Sequence, residues 1–590
     1  MRKENWISTL SRVLYIDLAR KDYWVEDHED LFGEWLGGIG VATKLYEEEV
    51  PRNADPLGPE NSIIFTVGPL TAIYPMASKT VAVFKSPLNN NFSESHAGGR
   101  SASAIRFAGY GAIIIRNASE RPVYLIIESD KVRFRDAGAL WGVRSAETVG
   151  RILREVTGGA GLRSIMRIGG AGERLVRYAS VMVETFRHFG RMGLGAVFGS
   201  KKLKAIVIIA GKNFKIPNLR EYREVRRELY ELTRGPGTKK YHDLGTAENV
   251  IPLNVLGALP TRNFSGGKFE GAEEISGEKL AEMMLARRVA CVACPVACIH
   301  LAAIREEYEE EKFLYKTEFI SYDYEPIYAL GTNLGISDRF GLLKMLKAVE
   351  DWGLDAISTG VALSWATEAF ERGIINKDEI LVPLKWGDWK AYMEAVKNIV
   401  MQPNEFYRTL ALGVEEAAKR YGGEEFALSF NKVEPAGYLT GPLYFISLAV
   451  GSRHSHLDAG SYSLDQKIFS RGEKLPKPEE AVRMIAEEEA WRQILTSLTL
   501  CLFARSIYTP EKVSKALNAI GYSFTPEELK QLGWKIYLEK QRIKRDEGFR
   551  PTEMRLPERI FETPTPLGKI SKEYFQQALS AFEEVMRKWV

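Results

Sequence analysis

Cys291-Val-Ala-Cys294-Pro-Val-Ala-Cys298 carries three of the four cysteines in the chain. The spacing C-x2-C-x3-C with one distant cysteine suits a cubane iron–sulfur cluster held by four thiolates. Supply leaves Cys501 as the fourth ligand. Pro295, beside a ligand, lacks a backbone donor and argues for a loop rather than a helix. A structural zinc site, also built from four cysteines, is the alternative; zinc folds usually present two close pairs, whereas here the split is three plus one. A disulfide is the weaker reading, because the chain shows no secretory features.

The chain around this loop has 590 residues, too many for one core, so roughly two to four domains are expected. Lys+Arg 80 against Asp+Glu 77 leaves a net charge of only +3, which gives nucleic-acid binding no electrostatic support. No apolar run reaches the roughly 18 residues of a membrane span. The start, Met1 to Trp6, has no apolar core of a signal peptide, so a cytoplasmic protein is expected.

Residues before about 210 read mostly as strands. Ser62–Val67, Val81–Phe84, Ala112–Ile115, Val123–Ile127 and Ala205–Ile209 are short and rich in β-branched residues. Helical windows are few, Ser145–Val156 among them, and the alternation of a Rossmann unit is missing. Three glycine patches punctuate the region: Gly37-Gly38-Ile-Gly40, His96-Ala-Gly98-Gly99-Arg100 and Gly190-Arg191-Met-Gly193-Leu-Gly195. None is a nucleotide fingerprint. Taken singly each is a tight turn; together, beside Lys44, Arg100 and Arg191, they suit an anionic cofactor.

After a linker at 211–217 the pattern turns helical. Leu219–Arg234 and Ser337–Trp352 are predicted helices, the second capped by Ser337 or Asp338 and stopped by Gly353. Ser358-Thr359-Gly360 is expected to start the next, and Pro526–Gln541 is a further helix. Tyr322-Asp323-Tyr324-Glu325 offers two carboxylates for acid–base work, or else a solvated acidic loop like Glu306–Glu311. Ser452-Arg453-His454-Ser455-His456-Leu457-Asp458 places two of only seven histidines two residues apart, with an Arg and an Asp beside them. Tyr462 and Asp465 follow in a loop.

Several blocks, in order, resemble one family. Gly68-Pro69-Leu70-Thr71, Lys85-Ser86-Pro87-Leu88, Ala108–Ile115, Gly170-Ala171-Gly172-Glu173 and Gly193–Ile206 resemble the N-terminal blocks of the tungsten-containing aldehyde ferredoxin oxidoreductases, and the likeness covers nearly the whole chain. It implies an α+β fold: a β-rich, saddle-like domain (1–211) holding a tungsten bis-pterin cofactor, then two mainly α-helical domains. The first (212–425) carries Cys291, Cys294, Cys298 and a pterin motif; the second (426–590) carries His456 and Cys501.

Further expectations rest on the same resemblance. Magnesium bridges the pterin phosphates through main-chain carbonyls, at His96 and close to His188. Lys79, where the family often has Arg, lies between pterin and cluster. Gly98, Gly99, Arg187, Gly190, Arg191, Gly193 and Gly195 line the cofactor. The pterin motif stands as Glu350-Asp351-Trp352-Gly353-Leu354-Asp355, whose acids can accept two donors from a pterin edge. The second motif reads Thr496-Ser-Leu-Thr499-Leu500-Cys501, with threonines where the family has an acid and a glycine. Thr496 and Leu500 are its cofactor contacts. Glu325 and His456 handle protons near tungsten, with Arg453 and His454 behind them. The implied reaction turns an aldehyde into a carboxylate and passes electrons through a 4Fe–4S cluster to ferredoxin or a ferredoxin-like subunit. Homo- or hetero-oligomers are compatible with this. The alternatives are a low-potential reductase of an acid or aryl-thioester, and a non-catalytic iron–sulfur or zinc scaffold.

Overall fold

The structure, a computed structural model, describes residues 6–184, 186–308 and 311–589. Two six-stranded sheets make up the N-terminal part. The first runs in the order Asp22–Asp27, Arg12–Asp17, Ala112–Arg116, Ile63–Thr66, Thr80–Lys85, Phe92–Ala97. The second runs Arg187–Phe189, Val181–Val183, Arg163–Arg167, Leu203–Ile209, Val123–Glu128, Lys131–Asp136. Each has one parallel pair, Arg12–Asp17 with Ala112–Arg116 and Leu203–Ile209 with Val123–Glu128. Ala112-Ile-Ile-Ile115 sits between two neighbours and is fully buried, which is why it reads as an unbroken apolar run rather than an alternation. The five predicted strands all appear, and helices dominate from Leu219 onward.

Helix ends follow side-chain chemistry. Ser145 caps Ala146–Val156 by accepting from the Thr148 amide, and Asp338 caps Arg339–Trp352. Gly353 then takes φ 74°, the left-handed stop that glycine tolerates best. The next helix, Ala356–Glu371, starts two residues earlier than predicted, because Asp355 rather than Ser358 supplies its cap. The stretch with Tyr462 and Asp465 is no loop either: it opens helix Tyr462–Arg471, and Asp465 turns back to accept from the Leu443 and Tyr444 amides.

The cysteine block is a hairpin loop, as Pro295 suggested. Strands Leu285–Val289 and Ile299–Tyr308 pair antiparallel with Val289 opposite Ile299, so Cys291–Cys298 is the turn between them. Ala293 and Ala297 take φ 55° and 51°, each just before a cysteine. Glu311–Tyr322 completes this three-stranded sheet. Glu306, read as part of a solvated run, lies in the ribbon and pairs with Lys344 at 2.6 Å; Glu309 and Glu310 lie outside the described residues.

Among the described residues two apolar cores hold most of the buried side chains, beside two small clusters around Val207 and Leu443. One gathers the sheets together with Ile494, Leu498, Leu500, Ile536 and Ile543 from the C-terminal part. The other gathers the helices between about 247 and 450 with the last helix, Lys572–Trp589. The layering explains the first. Helix Gly38–Glu49 packs on Ile63–Thr66 and Thr80–Lys85, and on its other side meets helices Pro478–Ser497 and Pro526–Asp546.

Gly199 shows how tight the sheet-side packing is. A Cβ added there would fall on the Gly172 carbonyl oxygen, where helix Leu194–Ser200 crosses Gly170–Glu173. Overpacking of this kind typically costs about 1–3 kcal/mol. Gly199→Ala is therefore expected to lower the thermal midpoint in a melting experiment, and an unchanged midpoint would contradict this packing.

Candidate active site and cysteine pocket

Backbone hydrogen bonds bring the distant cysteine to the loop. The Cys501 amide donates to the Met76 carbonyl (3.0 Å), and the Met76 amide donates to the Ala293 carbonyl (3.1 Å). Ala77 bridges Leu500, and the Lys79 amide donates to the Thr499 carbonyl (3.0 Å). On the other side Val292 donates to the Gly99 carbonyl (3.1 Å), while the Gly99 amide points at Cys291 Sγ (3.2 Å). A Cβ at Gly98 would sit 2.9 Å from that sulfur and 3.5 Å from Lys79 Nζ, so only glycine lets this strand end approach the thiol.

All four thiols line one cavity of about 340 Å³. Burial, then the neighbouring Cys501 and Cys291, pushes the Cys294 thiol up to about 12, and burial raises Cys298 as well. Such thiols ionise only against a cationic centre, so the donor set fits a metal cluster. Among the described residues no three His, Cys, Asp or Glu side chains close on a single-ion centre; the four thiols share a cavity wall instead.

A second cavity, about 210 Å³, continues from the first, and Arg187, His188, Gly190, Arg191, Asp323 and Glu325 border both. A third cleft of about 460 Å³, beside Arg545 and Glu583, shares no wall with them. The walls common to the first two carry charge without partners. Arg187 Nη1 meets Asp323 at 2.9 Å, yet its Nε and Nη2 are buried and unpartnered. Burial opposes the Arg187 charge, but Asp323 and the thiols of Cys298 and Cys291 more than offset it, and its pKa is raised. Arg191 donates to Asp355 (3.1 Å) and to the Glu434 carbonyl (2.6 Å), leaving Nη1 buried and unbonded.

The pterin motif of the sequence lies on the smaller cavity. Leu354 bridges Ala179, and the Asp355 amide donates to the Tyr178 carbonyl (2.9 Å), which ties this turn to the sheet side. Glu350 and Leu354 line the wall. Glu350 Oε1 is buried with no hydrogen bond, 3.5 Å from His188 Nε2. Asp355 is already engaged: it caps its helix, accepts from Ser358 (2.8 Å) and pairs with Arg191. Orphaned guanidinium donors and an orphaned carboxylate oxygen on one wall fit a ligand with both anionic groups and N–H donors, as a phosphorylated pterin has.

Glu325 and His456, far apart in sequence, meet at 3.2 Å on the larger cavity. Tyr438 donates to Glu325 Oε1 at 2.8 Å and stacks on Tyr462 (centroids 4.2 Å, 17°). Burial pushes the Glu325 carboxyl up, but His456 and Tyr438 outweigh it, and its pKa is lowered. His456 Nδ1 is buried and unpartnered.

The loop carrying His456 is held by buried charge. Asp458 accepts from the Arg453 and Ser455 amides (3.1 and 3.0 Å) and from Arg453 Nε (2.6 Å); Glu489 accepts from the Ser452 amide (2.9 Å). His454 bonds the Leu448 carbonyl through Nδ1 (2.8 Å) and faces Lys544 with Nε2 (2.8 Å); burial, then Lys544, holds its pKa well below the ordinary value. Glu94 reaches Lys540 (2.8 Å), Arg453 (3.2 Å) and His96 (3.3 Å). Burial raises Glu94, but Lys540 and Arg453 bring it far below the usual range. A depressed folded-state pKa means stability that is present above the ordinary carboxylate range and lost as pH falls through the lowered value.

Of the predicted contacts, Lys79, His96, Arg187, His188, Gly190, Arg191, Glu350, Leu354, Asp355 and Leu500 border the two cavities. Gly98, Gly99, Gly193, Gly195, Gly353 and Thr496 stand off both walls, the first two lying against Cys291 instead. Gly195 packs against the Ser180 carbonyl, and the Thr496 hydroxyl is spent on the Arg492 carbonyl of its own helix (2.8 Å). Tyr438, Glu94 and Lys540 were missed. Glu94 had a signal, because two-residue strand periodicity puts it on the face of His96; Tyr438 and Lys540 had none.

Comparison with known proteins gives the family of the whole chain. The family described as aldehyde ferredoxin oxidoreductase, N-terminal domain, matches residues 13–210, and the one described as aldehyde ferredoxin oxidoreductase, domains 2 and 3, matches 224–589. The tungsten-containing aldehyde ferredoxin oxidoreductase of Thermococcus kodakarensis is 34% identical over 583 residues, 96% of this chain and 93% of that protein. Its Pyrococcus furiosus counterpart is 32% identical with the same coverage. Among solved structures, the active-site complex BamBC of benzoyl coenzyme A reductase, in complex with 1,5-dienoyl-CoA, shares the fold with TM-score 0.84 at 21% identity, covering 99% of this chain and 95% of its own. The chain belongs to the tungsten-containing aldehyde ferredoxin oxidoreductase family, whose members are tungsten–pterin oxidoreductases.

Proposed function

We propose that the protein oxidises an aldehyde to a carboxylate at a tungsten bis-pterin centre and passes the electrons through a 4Fe–4S cluster to a ferredoxin-type carrier in the cytoplasm. The observation that carries this reading is the Glu325–His456–Tyr438 group on the wall of the cavity that also holds the four thiols. Aldehyde and water give the carboxylate, two electrons and three protons, so the site needs both an electron exit and a proton acceptor. When bound, the tungsten–pterin group supplies the two-electron change and the cluster the one-electron steps.

The chain's own residues do the rest. Glu325, ionised beside His456 and Tyr438, accepts a proton at the carboxylate. His456, 3.2 Å away, shares that proton and offers a second, free nitrogen facing inward. Arg187 and Arg191 hold anionic groups of the cofactor with their unpartnered donors, and Glu350 accepts from a pterin edge. Lys79, on the thiol cavity, and Arg187, which borders both cavities, link cofactor and cluster, with magnesium held near His96 and His188.

Native protein is expected to carry iron near four per chain with a reducible cubane signal in paramagnetic resonance. Stoichiometric zinc without iron would contradict the assignment of Cys291, Cys294, Cys298 and Cys501. Pterin content tests the two motifs separately. Glu350→Ala is expected to lower bound pterin, and Thr496→Ala to leave it unchanged; equal loss in both would refute the asymmetry. Glu325→Gln or His456→Ala should cut turnover about a hundred- to ten-thousand-fold with metal content retained. Tyr438→Phe removes a donor that lowers the Glu325 pKa, so the acid limb of the kcat/KM profile should move to higher pH. Wild-type turnover in the first two variants, or an acid limb unmoved or displaced downward in the third, would sink the proton assignment.

A further inference from the structure

The rim of the cysteine loop is basic and unneutralised. Arg100, Arg226, Lys240, Arg287 and Arg288 are exposed, and among the described residues none forms an ion pair. Each is tied to the loop by neighbours already placed. Arg100 follows Gly99, whose amide points at Cys291 Sγ. Arg226 donates to the Ile73 carbonyl (3.2 Å), three residues before the Met76 that holds Cys501. Lys240 lies over the Tyr241 ring (5.1 Å), which stacks on Phe503 (4.0 Å, 4°), two residues beyond Cys501. Arg288 donates to the Asp243 carbonyl (3.3 Å), bringing its strand against helix Pro236–Asp243, and Arg287 is the next residue along. The same turn of that helix contacts the loop itself, where His242 Nδ1 meets the Val296 carbonyl (2.9 Å).

The nearby acids have partners of their own. Asp243 is paired with Lys239 and also feels Arg288, Glu228 is paired with Lys515 and Asp323 with Arg187. The chain as a whole carries only +3, so a local surplus of this kind is a feature of this face, not of the composition. Four thiolates and their cluster draw cations towards them, but the half-buried Arg187 and Lys79 on the cavity wall already serve that need from inside. Exposed charge at a rim acts chiefly on encounter with a partner of opposite sign.

We propose that this rim is the docking face for a small acidic iron–sulfur protein, which takes the two electrons of each turnover one at a time from the cluster beneath it. The proposal rests on electrons leaving by the cysteine loop and deepens the reading above by naming where the carrier binds. Complementary charge at short range to Cys501 and Cys294 fits a carrier that must approach closely yet leave quickly.

The test uses holoenzyme and an acidic bacterial-type ferredoxin, with binding titrated directly at low and high ionic strength and turnover measured with that ferredoxin and with a viologen dye. The triple variant Arg226→Glu, Lys240→Glu, Arg287→Glu should lose roughly tenfold or more in ferredoxin affinity at low salt and show a flattened salt dependence. The milder set Arg226→Gln, Lys240→Gln, Arg287→Gln should fall between it and wild type, and dye-linked turnover should persist in both. Ferredoxin binding equal in wild type and charge-reversed enzyme would overturn the proposal. So would binding of the wild type to phosphatidylserine vesicles in place of ferredoxin. Absence of dye-linked aldehyde oxidation in wild type would instead count against the catalytic reading, and the binding titration still decides the docking face.

Discussion

The site depends on one backbone junction. Met76 accepts from Cys501 and donates to Ala293, so a single residue fixes one from the C-terminal part against the cysteine hairpin. The bridge of Ala77 to Leu500 and the bond from Lys79 to Thr499 extend the same seam. Main-chain bonds suit this task, because a thiolate set must be held to fractions of an ångström while side chains still have rotamers to lose. Thr499 takes φ 59° within the seam, where a β-branched residue is strained, and its hydroxyl is bonded to Thr71 (2.8 Å). The sheet-side core follows from the junction too: Leu498 and Leu500 bury themselves with the sheets because the cysteine beyond them must reach the sheet edge.

Charge is arranged in two ways. Immediately around the cavities, Arg187, Arg191, Glu350 and His456 keep unpartnered atoms aimed inward, a costly state unless a ligand completes them. Beside and behind them, Asp458, Glu94, Arg453, Lys540 and Lys544 are buried and paired, and Asp458 and one oxygen of Glu489 hold the His456 loop through its amides. Buried pairs of this kind add little net stability over apolar packing, but breaking one is expensive, so they serve better as fixed anchors than as glue. The position of His456 beside Glu325 is thus set largely by the buried charges that anchor its loop.

Much of this was legible from the chain. The β-branched runs gave the strands, Asp338 and Gly353 bounded their helix, and cysteine supply with Pro295 pointed to a loop of ligands closed by Cys501. What stayed hidden was hidden for physical reasons. Lys540 and Lys544 lie in a charge-rich stretch that reads as the solvated side of a helix, yet both are fully buried because strand Phe92–Ala97 and the 451–458 loop lie against them. Tyr438 sits in no periodic pattern; only the fold brings it to Glu325. Gly193 and Gly195 looked like a phosphate cradle, but their missing side chains make room for the carbonyls of Arg177 and Ser180. A glycine records a close approach without recording to what.

The most direct test is a crystal of natively loaded enzyme, with anomalous maps collected at the iron, tungsten and zinc edges. The account predicts an iron peak enclosed by Cys291, Cys294, Cys298 and Cys501, and a separate tungsten peak in the adjoining space near Glu325 and His456, with Arg187 between the two. A lone zinc peak among the cysteines, or tungsten bound away from the wall of Arg187, Arg191 and Glu350, would contradict it.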